Sequence, residues 1–271
     1  MALDVIDIRS FYSSALGRMT STHIGAALRE AWPRTQGLSV MGLGFATPYL
    51  DLFRGEADRV FSVMPERQGV LEWPADGPSA SILAAPCDLP FPESSIDRIL
   101  LIHALETQDR PQDLLAELWR VLTPGGQIIV IAPNRRGLWA RIDRTPFGHG
   151  QPFSRRQLTD LLREALFSPV HWSEALHYPP FGGSMLVKLA TAWEHAGRAF
   201  ALPFAGVHIV GATKLLYRPV ALTRTAARRT ALAPVLIPAP SPRLHTSSPQ
   251  IQASSPKFHS ASPVRLDESP L

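Results

Sequence analysis

The chain holds one cysteine, Cys87, in 271 residues. No intrachain disulfide can form, and a structural zinc site built on several thiolates is excluded. Charge is also scarce, with Asp, Glu, Lys and Arg at 18% of residues, and aromatics reach only 8%. No apolar run approaches the roughly 18 residues that would suggest a membrane span. The opening stretch, MALDVIDIRSFY, carries acids where a secretion signal needs a basic start and an unbroken apolar core. The expectation is a cytoplasmic chain, not membrane-bound, with enough length for one α/β domain of roughly 200–250 residues.

Proline, by contrast, is abundant: 26 residues, about twice the ordinary share. It concentrates at the end, where residues 219–271 hold nine prolines and eight serines. That stretch cannot bury enough apolar surface to offset its ordering entropy, so 219–271 reads as a disordered, Pro/Ser-rich basic tail. It also carries the whole formal charge of +4, because residues 1–218 balance 21 basic against 21 acidic side chains. Arg224, Arg228 and Arg229 attract polyanions only weakly, so a nucleic-acid partner is not expected.

Residues 1–34 read as two short helices, Ile8–Gly17 and Thr20–Glu30, stopping before Pro33. Over 35–218, apolar runs alternate with amphipathic segments, the pattern of a mostly parallel sheet covered by helices. Strands are expected at Leu38–Leu43, Arg59–Val63, Ala80–Ala84, Ile96–Leu101, Gln127–Ile131, Val170–Tyr178 and Val207–Leu216. Helices are expected at Pro48–Phe53 with Thr47 as cap, Arg110–Leu122, Ser154–Leu166 and Met185–Phe200. The clearest unit is Ile96–Leu101, Arg110–Leu122 and Gln127–Ile131. Its strands are continuous apolar runs, and its helix places Leu114, Leu115, Leu118, Val121 and Leu122 on one stripe. Thr123-Pro124-Gly125-Gly126 reads as a closing turn. Ser154 and Gln157 have the spacing of a capping box.

Three ordered blocks carry chemistry. The first is LSVMGLGFATPYL (38–50), a strand, a glycine turn and a helix start. The second is CDLPFPESSIDRIL (87–100), and the third is LLAELWRVLTPGG (114–126). Together they resemble the type 11 family of class I S-adenosylmethionine-dependent methyltransferases. The resemblance implies a Rossmann-like fold of seven strands, mostly parallel with one antiparallel, and helices on both faces. It places the cofactor, S-adenosylmethionine, across the C-terminal strand ends, between Gly44 and His103. The cofactor-binding positions implied are Gly42, Gly44, Phe45, Ala46, Met64, Pro65, Cys87, Asp88, Leu89 and His103. No metal is implied, and the acceptor is expected to be a small molecule.

The sequence departs from that family pattern at several of these positions. The acid expected at the end of the first strand is Gly42, and the second and third glycines of the turn are Ala46 and Pro48. The acid expected to hold the ribose falls at Met64, with Glu66 two residues later as a substitute; the acid expected after the third strand falls at Ala85, with Asp88 nearby. A lost hydrogen bond to a charged partner, about 1.5–3 kcal/mol, weakens binding about ten- to a hundredfold. An alternative reading is therefore a non-catalytic relative that has lost tight cofactor binding. His103, in His103-Ala-Leu-Glu106, is the best candidate for a catalytic residue; a structural histidine at a strand end stays open beside it. Pro133-Asn134 is expected at the pocket edge. The segment around His149, bent by Gly148 and Gly150 above Phe147 and Phe153, is expected to be either a lid or a plain loop. Cys87 reads either as an adenine contact or as an inert buried thiol. The sequence is silent on oligomeric state.

Overall fold

A computed structural model describes residues 3–181, 192–194, 196–197 and 204–217. The helix expected at Met185–Phe200 lies largely outside these residues, and the tail lies wholly outside them.

Seven strands form one sheet: β1 Ser39–Gly44, β2 Arg59–Pro65, β3 Ser81–Ala84, β4 Ile96–Ile102, β5 Leu122–Pro133, β6 Phe167–Ala175 and β7 Val207–Lys214. Their spatial order is β3-β2-β1-β4-β5-β7-β6. β1, β2, β3, β4 and β5 run parallel, while β7 is antiparallel to both β5 and β6. The expected architecture is therefore the one found.

Side chains along each central strand alternate between two cores, as pleated strands require. Val40, Leu100, Ile102, Ile129 and Ile131 face one core, covered by α1 (Val5–Ser13), α2 (Ala15–Ala31) and α3 (Thr47–Leu50). Met41, Leu43, Ile99, Leu101, Ile128 and Val130 face the other, under α4 (Pro111–Val121) and α5 (Arg155–Glu164). α4 buries Leu114, Leu115, Leu118 and Val121, the stripe read from the sequence. α5 opens with the expected capping box: the Ser154 side chain accepts from the Gln157 amide, and the Gln157 side chain accepts from the Ser154 amide.

Three local expectations are corrected. Thr47 does not cap α3. Ala46 occupies that position without a side-chain bond, and the helix is only four residues long. The Thr123–Gly126 turn is absorbed into β5 as a bulge, where pairing with β4 jumps from Ile96–Leu122 to Arg98–Gln127. The two N-terminal helices begin earlier than expected and break at Ser14, whose extended backbone (ψ 164°) ends α1 while its hydroxyl accepts from Gly17 to start α2.

Candidate functional site

In an open parallel sheet, ligands bind beyond the C-terminal strand ends, where the strand order reverses. Here that point lies between β1 and β4. Gly44 ends β1 with φ +89°, and a Cβ there would overlap the Ile102 carbonyl oxygen. Only glycine fits this turn. Phe45 then donates its amide to Ile102 O at 3.1 Å, tying the turn to β4.

The missing acid at position 42 has a packing cause. A Cβ on Gly42 would lie 2.5 Å from the Ala46 Cβ and 2.9 Å from a Leu50 methyl. Ala46 and the first turn of α3 thus fill the space a carboxylate would need. The two departures from the glycine pattern, Gly42 and Ala46, are complementary.

Beyond the strand ends, core side chains line the crevice among the described residues. Phe45, Ala46, Tyr49, Met64 and Trp73 all belong to the core under α1. The Met64 sulfur, where the ribose-holding acid is expected, accepts from the Leu71 amide. Glu66, the candidate substitute, faces solvent. From α1, Tyr12 stacks on Phe45 with ring centroids 5.5 Å apart. The Val5 amide bonds Gln68 O at 2.8 Å, and the Gln68 side-chain amide donates to His103 O.

His103 sits at the end of β4 in the left-handed region, φ +56°. A non-glycine residue stays there only when its surroundings hold it, and several neighbours do. Its Nε2 lies 2.8 Å from Tyr12 Oη, its Nδ1 lies 3.5 Å from Glu106 Oε1, and the Phe147 ring packs 4.6 Å away. Tyr12 Oη is also 3.0 Å from Tyr49 Oη. Burial, then Tyr49, then the Glu106 carboxyl push the Tyr12 hydroxyl well above its ordinary pKa. Tyr12 therefore keeps its proton, and its hydroxyl joins Tyr49 Oη and His103 Nε2 in one buried hydrogen-bonded group. Glu106 is 3% exposed, and neither carboxylate oxygen has a hydrogen-bond partner among the described residues. A small cleft lined by Leu3, Ile8, Gln68, His103, Glu106 and His149 leads to this group. It has room for roughly one water molecule.

The structure brings Gly44, Phe45, Ala46, Met64, Pro65 and His103 to one edge, with Gly42 just beneath. It does not bring Leu89 there: Leu89 lies in the opposite core, its amide held by Glu117 at 2.7 Å. Cys87 is exposed, not a buried thiol, and Asp88 is exposed beside it. Asn134 is fully engaged in the fold, donating to Ala205 O and accepting from the Arg136 amide. The bend at Gly148–Gly150 does carry Phe147 beneath it, against His103, while Phe153 packs in the other core. His149 lines the cleft with Nε2 2.6 Å from Asp143 O. Tyr12 and Gln68 escaped the sequence reading. Tyr12 shows there only as one apolar position of a helical stripe with Val5 and Ile8, and nothing local reports where that stripe docks.

Tested against a bound nucleoside, the site gives a divided result. The side-chain-free turn at Gly44 and the strand-end position suit a sulfonium nucleotide. Among the described residues no carboxylate stands at the ribose position, and Phe45 and Met64 pack there as core, so no step is routed through the cofactor.

Strand order, glycine turn and strand-end polar cluster define the class: the Rossmann-like, class I methyltransferase fold. Residues 38–130 match the family model described as a methyltransferase domain. Over that third of the chain the sequence is similar to the methyltransferase domain, and the fold around it is that of class I methyltransferases. It is 27% identical over 135 residues to a demethylmenaquinone methyltransferase from Deinococcus radiodurans, covering 49% of each chain. It is 28% identical over 123 residues to the enzyme of that name from Thermus thermophilus, covering 44% of this chain and 49% of that one. It thus spans about half the length of these curated relatives. In fold it is similar to a methyltransferase from Archaeoglobus fulgidus, with TM-score 0.51, 18% identity and coverage of 70% and 93%. A Haloferax volcanii complex of the Trm112 methyltransferase activator and a methyltransferase gives TM-score 0.55 at 17% identity, with coverage of 78% and 98%. No helix among the described residues is long and apolar enough to cross a membrane.

Proposed function

We propose that this protein is an S-adenosylmethionine-dependent methyltransferase acting on a small molecule, with α1 as the cover of its crevice. The observation that carries the reading is the Gly44 turn beside buried His103 and Glu106, all within the segment that matches the family, with Tyr12 of α1 docked on His103 from outside it. The cofactor supplies an electrophilic methyl group; the chain's part is to hold the acceptor in line and exclude water. Ligand entry requires Tyr12 to leave Phe45, and α1 hinges at Ser14 for that movement. The test is calorimetric titration with S-adenosylmethionine and S-adenosylhomocysteine. Both are expected to bind, and Tyr12→Ala, which removes the stacked ring, is expected to tighten binding at least threefold. Absence of heat from both ligands with both proteins overturns the reading.

A second reading, a non-catalytic relative, is favoured by one specific observation. Phe45 and Met64, at 3% and 1% exposure, pack as core in the crevice. It predicts silence in the same titration, before and after the Tyr12 substitution. Methylated product formed from any acceptor in a cell extract counts against it.

A further inference from the structure

The identity of the acceptor is narrowed by one unpartnered group. Glu106 is buried and lines the cleft, with both carboxylate oxygens unbonded among the described residues. An ionised carboxylate is an acceptor only, and His103 Nδ1 lies 3.5 Å from it, beyond a good hydrogen bond. Buried carboxylates are ordinarily hydrogen-bonded or ion-paired.

The position of Glu106 is fixed from its backbone. The Gln151 amide donates to Glu106 O at 2.7 Å, and Gly150, at φ +80°, has no Cβ because one would overlap that same oxygen. His103 is held in a conformation unusual for its type by Gln68, Tyr12 and Phe147. Two strained or close-packed backbone positions thus converge on a carboxylate that bonds nothing. Apolar walls from Leu3, Ile8 and Pro146 line the approach.

We propose that Glu106 binds the methyl acceptor and takes its proton, and that the acceptor is a compact apolar molecule bearing an ionisable O–H or N–H. This rests on the methyltransferase reading above. In the step, the O–H or N–H bond breaks and the proton passes to a Glu106 oxygen. The bonding pair stays on oxygen or nitrogen, which becomes the nucleophilic atom. His103, bonded to Tyr12 at Nε2, flanks the carboxylate with Nδ1 at 3.5 Å. Movement of α1 admits the acceptor, because Leu3 and Ile8 belong to its wall.

The probes are 4-nitrophenol and 4-nitroanisole, the same ring with and without an O–H, bound to the full chain and followed by absorbance and ligand NMR. The phenol is expected to bind at least tenfold more tightly than the anisole, with its spectrum shifted toward that of the phenolate. Glu106→Gln is expected to narrow that gap at least threefold, and Glu106→Leu to abolish it. The gap is a ratio, so partial loss of folded protein does not move it. Equal binding of both probes by the native chain, binding of neither at millimolar concentration, or an unchanged gap in both variants overturns the proposal. S-adenosylhomocysteine is titrated in parallel. Silence there with the phenol gap intact removes the methyltransferase reading alone and leaves a hydroxyl-binding cleft.

Discussion

At the scale of single residues, the glycine turn separates conformational from steric demands. Gly44 faces both, a positive φ and the Ile102 carbonyl, whereas Gly37 has φ +73° with nothing within 4 Å of its notional Cβ. Gly37→Ala is therefore expected to cost about 1 kcal/mol, from the left-handed conformation alone. Gly44→Ala is expected to cost about 2–4 kcal/mol, because strain and overpacking add. Urea denaturation midpoints compare them; equal losses would remove the steric explanation. Position 42 gives a sharper case. Restoring the family's acid with Gly42→Asp is expected to destabilise the fold by about 2 kcal/mol or more, since it buries a carboxylate against Ala46 and Leu50. Adding Ala46→Gly should recover part of that loss, by about 0.5 kcal/mol or more, because the two positions touch. Strict additivity in the double-mutant cycle would show that the two departures arose independently.

At the scale of elements, chemistry that is local in sequence was legible and chemistry that is tertiary was not. The α4 stripe and the Ser154–Gln157 capping box are set by spacing within a few residues, so both could be read directly. The short α3 was overestimated because Pro48 marks a helix start but says nothing of its length. The Thr-Pro-Gly-Gly run signalled a turn, yet β5 absorbs it, because pairing of Leu122 with Ile96 holds the strand on both sides of the bulge. His103 was legible as a strand-end histidine. Its partners Tyr12 and Gln68, 91 and 35 residues away, were not, for no periodicity encodes where α1 docks. A pH effect belongs to this scale as well. Asp97 bridges β1 and β4, accepting from the Ser39 amide and hydroxyl and from the Thr123 hydroxyl. Burial alone would raise its pKa, but these hydrogen bonds outweigh burial and lower it. A depressed folded-state pKa gives stability that is present above the unfolded carboxyl value near 3.9 and lost as pH falls through the folded one. Thermal midpoints of the native chain should therefore fall more steeply below pH 4 than those of Asp97→Asn. Parallel curves would remove Asp97 from the acid response.

At the scale of the whole molecule, the core-lined crevice and the methyltransferase reading are compatible only if α1 opens without the sheet unfolding. The contacts of α1 make this a definite expectation. It buries three of its residues, Val5, Ile8 and Tyr12, and it is tied to the body by one backbone bond to Gln68, the Tyr12 hydroxyl, and ring contacts of Tyr12 with Phe45 and of Phe11 with Trp139 and Phe147. β4 and β5 are paired on both sides, with nearly every side chain between Ile99 and Ile102, and between Ile128 and Pro133, enclosed. Local opening of elements with few buried contacts costs much less than global unfolding. Amides of α1 are expected to exchange with solvent at least a hundredfold faster than those of β4 and β5 under native conditions, a gap of about 2.7 kcal/mol or more. Tyr12→Phe, which removes the hydroxyl from His103 and Tyr49, should speed exchange in α1 and leave β5 unchanged. If α1 instead exchanges only with the global transition, the hollow beside Gly44 stays sealed on any timescale that a ligand could use. The packed Phe45 and Met64 would then be ordinary core, and the fold would serve some purpose other than methyl transfer.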